Sequence, residues 1–279
     1  MRKVIAVDGT HLKGKYRGVL LTAVAQDVEN HVFPVTCCVV DSECDASWNY
    51  FFQQLVDIVP NSLDLCIISD RHLSIKKAIR DVYTNAYHCV CTRHLCERMR
   101  GRAFFPGNRF KVLTPNIVES FNSMFLVEKE FPITAFFNDI NMRFATKFNE
   151  RRTLAKNLLL LNKRVMPRAE SRIRKRMEAS KKVVVIGVNE NKYTACEHDN
   201  HATVNLSTMS CSCRVFDVDK LPCPHAIAAL SKRYPDTFKR YPDTFGASVY
   251  NHSSTYYSAD AYHKAYEGDI VQISHEMYL

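Results

Sequence analysis

Long apolar runs are missing from this sequence. No stretch of about 18 consecutive apolar residues occurs, which excludes a hydrophobic membrane-spanning helix. The opening residues Met1–Asp8 hold too few apolar side chains for a secretory leader and read as a buried strand. Without such a leader, the eleven cysteines do not suggest a disulfide framework; in a reducing compartment they are buried thiols or metal ligands. Repeats of solenoid length are absent too. The one duplication copies Lys232–Phe238 at Lys239–Phe245, which is too short for a repeat fold and lengthens a surface segment. No base-reading motif and no interleaving of aromatic with basic residues occurs, so nothing supports sequence-specific reading of a nucleic acid.

Acidic residues are scarce in one stretch. Between Arg143 and Lys182 there are 14 Lys and Arg against three Glu, an excess of eleven, while the whole chain carries +9. The remainder is therefore slightly negative, and the basic character belongs to one segment. A polyanion such as nucleic acid is its natural partner, although a solvated helix face has the same composition.

The ordinary hydrophobic share of 46% over 279 residues suits one large domain or two modest ones. Val4–Val7, Gly18–Ala25 and Val32–Val40 read as strands. Trp48, Phe51, Phe52, Leu55, Val56 and Val59 keep helical spacing up to Pro60. Leu65–Ile68 is a further buried strand, Ile75–Val82 a helix and Ala86–Cys91 a fifth strand. From Asn116 to Lys182 the pattern is helical, broken at Pro132 and Pro167. Strand-type residues return at Val183–Val188, Tyr193–Cys196 and Ala202–Leu206. The last thirty residues, rich in Tyr, Ser and His without periodicity, are expected to be partly disordered.

Cys211 and Cys213 are two apart, so an extended backbone points both thiols to one side. Cys223 and His225 repeat the spacing after nine intervening residues, just before Ala226–Leu230, a helix start that would fix His225. Two close pairs of soft or borderline ligands suit tetrahedral structural zinc, which fills all four positions and leaves none for substrate. The bland alternative is buried, unliganded cysteines beside a capping histidine. The pattern resembles the SWIM zinc finger, a family associated with binding DNA or protein.

Asp8 and Asp70 each end a buried apolar strand. Carboxylates so placed can share divalent metals, but many strand-ending Asp residues merely begin turns, and spacing alone favours that reading. The wording around them, Asp8-Gly9-Thr10-His11-Leu12-Lys13, Ser69-Asp70-Arg71-His72 and His88-x-x-Cys91-x-x-His94-Leu95, resembles the transposase domain of Mutator-like elements. That resemblance implies a ribonuclease-H-like mixed sheet with flanking helices (α/β, α+β overall), in which the strands bearing Asp8 and Asp70 lie side by side. It also implies a catalytic triad of Asp8, Asp70 and Glu119 using Mg²⁺ or Mn²⁺. Glu119 stands in an Asn-x-x-Glu-Ser-x-Asn pattern, where it also fits a capping box begun by Asn116. Cys91-x-x-His94 reads either as a packing feature beside the acids or as half a metal site.

The expected organisation is a ribonuclease-H-like domain over 1–100, a shortened basic helical segment over 101–182, a zinc-stabilised β/α module over 183–245 and a tail over 246–279. Two departures from the family stand out. Only about twenty residues separate His94 from Asn116, where relatives carry a long helical insertion. The chain also starts at the first catalytic strand, where relatives have a preceding DNA-binding module. It is therefore expected to be a truncated, non-catalytic derivative: a zinc-binding nuclear protein with DNA affinity and a protein partner through its finger. Arg168, Arg172, Lys175 and Arg176 are the expected phosphate contacts. The alternative is an active transposase cutting and joining DNA strands.

Overall fold

A computed structural model describes residues 3–15, 17–90, 116–197, 200–235, 247–268 and 270. Strand β1 (Val4–His11) begins with four consecutive buried residues, as a central strand covered on both faces requires. It pairs antiparallel with β2 (Val19–Gln26), which in turn pairs antiparallel with β3 (Val32–Val40). A bulge at Ala23/Val24 lies opposite Pro34, which lacks the N–H that a regular ladder needs and is tolerated because β3 is an edge.

Helix α1 (Asp45–Ile58) buries Trp48, Phe51, Phe52 and Leu55 and stops before Pro60, which cannot continue it. Strand β4 (Cys66–Ser69) pairs parallel with β1, aligning Ala6 with Ile68. Helix α2 (Leu73–Val82) follows, then β5 (Tyr87–Val90), parallel to β4. The sheet order β3-β2-β1-β4-β5, antiparallel on one side and parallel on the other, is the ribonuclease-H-like arrangement. The helices α1 and α2 cover one face, and Tyr83 ties them by donating to the carbonyl of Val59 at 2.9 Å.

Helix α3 (Asn116–Ser123) packs against β1, β2 and β3. Helix α4 (Ile133–Leu160) buries Phe136, Ile140, Phe144 and Phe148, one residue in four along a single stripe. Phe144 stacks on Phe121 of α3 at 5.7 Å between centroids.

The chain divides into two compact units, Met1–Leu154 with Lys264–Leu279, and Ala155–His263. The second unit holds α5 (Pro167–Ser180), whose first-turn proline gives up no helical hydrogen bond. A four-stranded antiparallel sheet follows in the order β6 (Val184–Gly187), β7 (Lys192–Glu197), β8 (Asn200–Asn205) and β9 (Ser210–Cys211). Then come α6 (Val215–Asp219) and α7 (Pro224–Arg233). Helix α7 buries Ala226, Ile227, Ala229 and Leu230 and packs on β6, β7 and β8.

Within the tail expected to be partly disordered, residues 247–268 carry regular structure. They form α8 (Ala247–Asn251), a 3-10 turn (Thr255–Tyr257) and α9 (Ala259–Ala265). Tyr257, Tyr262 and Tyr266 are buried, so these tyrosines are core residues. Backbone bonds from Met166 to Tyr257 (2.9 Å) and from Ala259 to Arg164 (3.1 Å) fix the segment to the turn before α5.

Candidate functional site

In the second unit, β9 delivers Cys211 and the turn after it Cys213. There Arg214 takes a left-handed conformation, φ 62°, that sends the chain into α6. Cys223 is the N-cap of α7 and accepts from the Ala226 N–H at 3.4 Å; Pro224 fixes the first turn, and His225 follows on it. All four ligand atoms lie within 4.8 Å of one another, and Cys211 Sγ is 3.7 Å from His225 Nδ1. A tetrahedral zinc site with ordinary Zn–S and Zn–N bonds has edges of about 3.5–3.8 Å, so the donor set fits.

The electrostatics point the same way. Hydrogen bonds with Cys211 and Cys223 hold the Cys213 thiol far below its ordinary value. The same crowding pushes the Cys223 thiol strongly up. His225 is raised to about 10 by Cys211 and Cys213. Three thiols and an imidazole this close cannot all take their ligating states without a compensating cation, and a dication supplies that charge.

In the first unit β1 runs on past Asp8 to His11, so Asp8 lies within the strand rather than ending it, while Asp70 follows directly on the adjacent parallel strand β4. Burial pushes the Asp8 carboxyl up to about 7, helped by the charges of Asp70, Glu43 and Glu119 and opposed by the Gly9 N–H. Asp70 and Glu119, the acids expected with Asp8 at this place, thus both act on its carboxyl. Asn122, one turn beyond Glu119 on α3, points Nδ2 at Asp8 Oδ2 over 3.4 Å. Asp70 also begins a turn by accepting the His72 N–H at 3.0 Å. Among the described residues, the ligand atoms of these acids do not converge into a second group like the Cys/His cluster.

Glu43 is the member that sequence reasoning missed. It lies in the β3–α1 loop, accepts from Trp48 Nε1 at 3.2 Å, and has its carboxyl carbon 3.1 Å from where a Gly9 Cβ would stand. The glycine after Asp8 is the one local signal for that approach. Behind Asp70, buried Ser69 donates to the Asp70 carbonyl at 2.8 Å. His88 Nε2 lies 2.8 Å from the same hydroxyl and, with that proton committed, donates to it. Burial lowers the His88 pKa, Lys76 adds to this, and Asp70 partly opposes it. Lys129 is buried with Nζ 3.1 Å from Thr10 Oγ1; burial and Lys13 lower its pKa, while Asp8 opposes them. Cys91-x-x-His94 and the second KRYPDTF copy lie outside the described residues.

The expected phosphate contacts divide. Arg168 and Lys175 are exposed on α5. Arg172 and Arg176 turn inward instead. Both reach the fully buried carboxylate of Asp219, Arg172 at 2.5 Å, and Arg176 also donates to the carbonyls of Leu221 and Pro222. A buried carboxylate needs compensating charge, and α5 supplies it from two residues one turn apart.

Residues 4–98 match the family model of the MULE transposase domain, and residues 202–234 match that of the SWIM zinc finger. No curated protein matches the chain. Among solved structures, a chain of the simian T-cell lymphotropic virus intasome in complex with PP2A regulatory subunit B56 gamma is similar at 13% identity and a TM-score of 0.31. The match covers 48% of this chain and 45% of that one. The HTLV-2 integrase catalytic core domain in complex with magnesium is similar at 14% identity and a TM-score of 0.29, over 50% of this chain and 81% of that one.

Proposed function

We propose that this chain, which carries a MULE transposase domain followed by a SWIM zinc finger, is a zinc-stabilised nuclear protein that binds DNA without cutting it. The observation that carries the reading is the Cys211, Cys213, Cys223 and His225 donor set in the same unit as the basic helix α5. Four protein ligands would hold zinc with no open position, so the metal would supply folding energy rather than chemistry. Exposed Arg168, Lys175, Lys181 and Lys182 offer the cationic surface that phosphates require. In the first unit, the buried ammonium of Lys129 in the field of Asp8 provides positive charge to the acids from the chain itself.

A second reading is favoured by one observation, the concentration of carboxylate charge around Asp8. Asp8, Asp70 and Glu119 would hold Mg²⁺ or Mn²⁺, which when bound supplies Lewis acidity for attack on a phosphodiester. Asn122 would orient Asp8, and the Ser69–His88 pair would hold the backbone that presents Asp70.

The test is fluorescence anisotropy with duplex DNA across a salt series, together with a nicking assay in Mg²⁺ and Mn²⁺. The first reading expects binding that weakens steeply with salt, a shallower slope in Arg168→Ala/Lys175→Ala, and no cleavage. Affinity independent of salt would refute it. Nicking that disappears in Asp70→Ala would replace it with the second.

A further inference from the structure

Strand β6 is an edge of the finger sheet and pairs on one side with β7. Its register aligns Val184 with Cys196 and Ile186 with Thr194, and the Val188 N–H donates to the Lys192 carbonyl. Antiparallel alternation therefore turns the backbone groups of residues 184, 186 and 188 toward β7 and those of Val185 and Gly187 outward. Lys232 Nζ meets the outward Val185 carbonyl at 2.7 Å, in keeping with that assignment. On the sheet face opposite α7, Val184, Ile186 and Val188 are 66%, 58% and 63% exposed. Among the described residues no further strand pairs with this edge, and three exposed β-branched side chains in a row on it are a template for strand pairing.

The charges at the strand's two ends say what fits there. Exposed Lys181 and Lys182 lead into β6, and exposed Glu190 lies in the turn that leaves it. A strand that is basic where it enters and acidic where it leaves complements itself when a second copy runs antiparallel. We propose that β6 pairs with β6 of a second copy about a two-fold axis at Ile186, joining two finger sheets into one. In that register Val185 and Gly187 exchange backbone hydrogen bonds with Gly187 and Val185 of the second copy. Ile186 faces its own counterpart, each Val184 faces a Val188, and each Lys182 comes within reach of a Glu190. The contact is isologous, so it closes at two copies and leaves no β6 edge to propagate. Lys232, an exposed side chain, yields the Val185 carbonyl to the incoming Gly187 N–H. The inference does not rest on DNA binding, although it engages Lys182 of the cationic surface proposed above.

Sedimentation equilibrium of the zinc-loaded full chain tests it. The wild type is expected to dimerise, and Ile186→Lys, which sets two ammonium groups against each other on the axis, to weaken association at least about tenfold. Ile186 is 58% exposed, so unchanged zinc content and circular dichroism separate this loss from misfolding. Lys182→Glu and Glu190→Lys are each expected to weaken the dimer, and an equimolar mixture of the two to restore it, because each Glu then meets a Lys. Ile186→Cys is expected to give a disulfide-linked dimer under mild oxidation that the wild type does not give. A wild type monomeric at every concentration overturns the proposal and leaves the edge to a foreign strand. A dimer indifferent to Ile186→Lys, or a charge-swapped mixture no stronger than its parts, overturns it equally.

Discussion

Arg176 of α5 turns away from solvent to meet the carboxylate of Asp219, which is fully buried at the end of α6. Arg172 joins from one turn earlier, and its guanidinium lies 5.9 Å from the ring centre of Tyr257, whose hydroxyl donates to the Asp219 carbonyl at 2.6 Å. These contacts join α5, α6 and the C-terminal 3-10 turn.

Removing one partner of such a buried pair strands the other, at a typical cost of about 3–5 kcal/mol. Asp219→Asn should therefore lower the urea midpoint strongly, with Arg176→Ala next. Arg168→Ala and Lys175→Ala, on the exposed side of the helix, should change stability by no more than about 0.5 kcal/mol. If Arg176→Ala left the midpoint unchanged and weakened DNA binding as much as Lys175→Ala, the inward assignment would be wrong.

That contrast shows where the sequence could be read and where it could not. The strands of β1 and β4 were legible because burial on both faces produces unbroken apolar runs, and α1 because its stripe ends at Pro60. The cluster at Cys211–His225 was legible because ligand spacing is local. Asp219 was not: one acid in Val-Phe-Asp-Val-Asp-Lys looks solvated until α5 is folded over it. Arg172 and Arg176 were counted as surface charge because the composition of a basic helix does not say which side faces inward. Glu43 reaches Asp8 only after β3 has returned the chain, and Tyr257, Tyr262 and Tyr266 are buried by long-range docking that leaves no periodicity.

Asp8 gives a prediction about pH. Its carboxyl is raised from 3.8 to about 7 in the folded chain by burial and then by Asp70, so the folded state holds a proton that the unfolded state has released over that interval. Stability from this group is present below pH 3.8 and is lost as pH rises to about 7. Linkage sets an upper limit of about 4 kcal/mol, and solvent screening at a half-buried group reduces it to about 1–2 kcal/mol. Asp8→Asn removes the charge while keeping the shape. It should match the wild type near pH 4 and be more stable at pH 8, read as the difference in thermal midpoints. A difference that stays flat with pH would mean that Asp8 is solvated alike in both states.

Tyr266 gives the opposite sign. Its hydroxyl donates to Asp27 Oδ2 at 2.7 Å and accepts from Arg151 at 2.8 Å, fastening the C-terminal segment to the β2–β3 turn within the first unit. Burial alone would raise the Asp27 pKa, but the hydrogen bonds from His31 and Tyr266 outweigh it and lower it. This stability is present above pH 3.8 and is lost as pH falls through the depressed folded value. Tyr266→Phe should cost about 1–3 kcal/mol at pH 7 and progressively less under acid. A penalty independent of pH would assign the effect to ring packing against Phe33 and Phe148 rather than to Asp27.

Metal analysis of the purified chain should return about one zinc, retained by the wild type and lost from Cys223→Ser and His225→Ala. Cys196→Ser is the informative control. That thiol lies 3.1 Å from His201 Nδ1 on the same sheet and so offers a rival Cys–His pair outside the cluster of four. It should keep full zinc. Because Cys223 would ligate the metal as well as cap α7, its loss should remove amide protection from Ala226 through Leu230 along with the metal. His225→Ala should free zinc and leave the helix cap in place. Ligation also requires the thiols to give up their protons, so zinc affinity should fall steeply as pH drops below neutral. Zinc that survived Cys223→Ser but vanished in Cys196→Ser would move the metal to the Cys196–His201 pair and leave the Cys211–His225 cluster a hydrogen-bonded core.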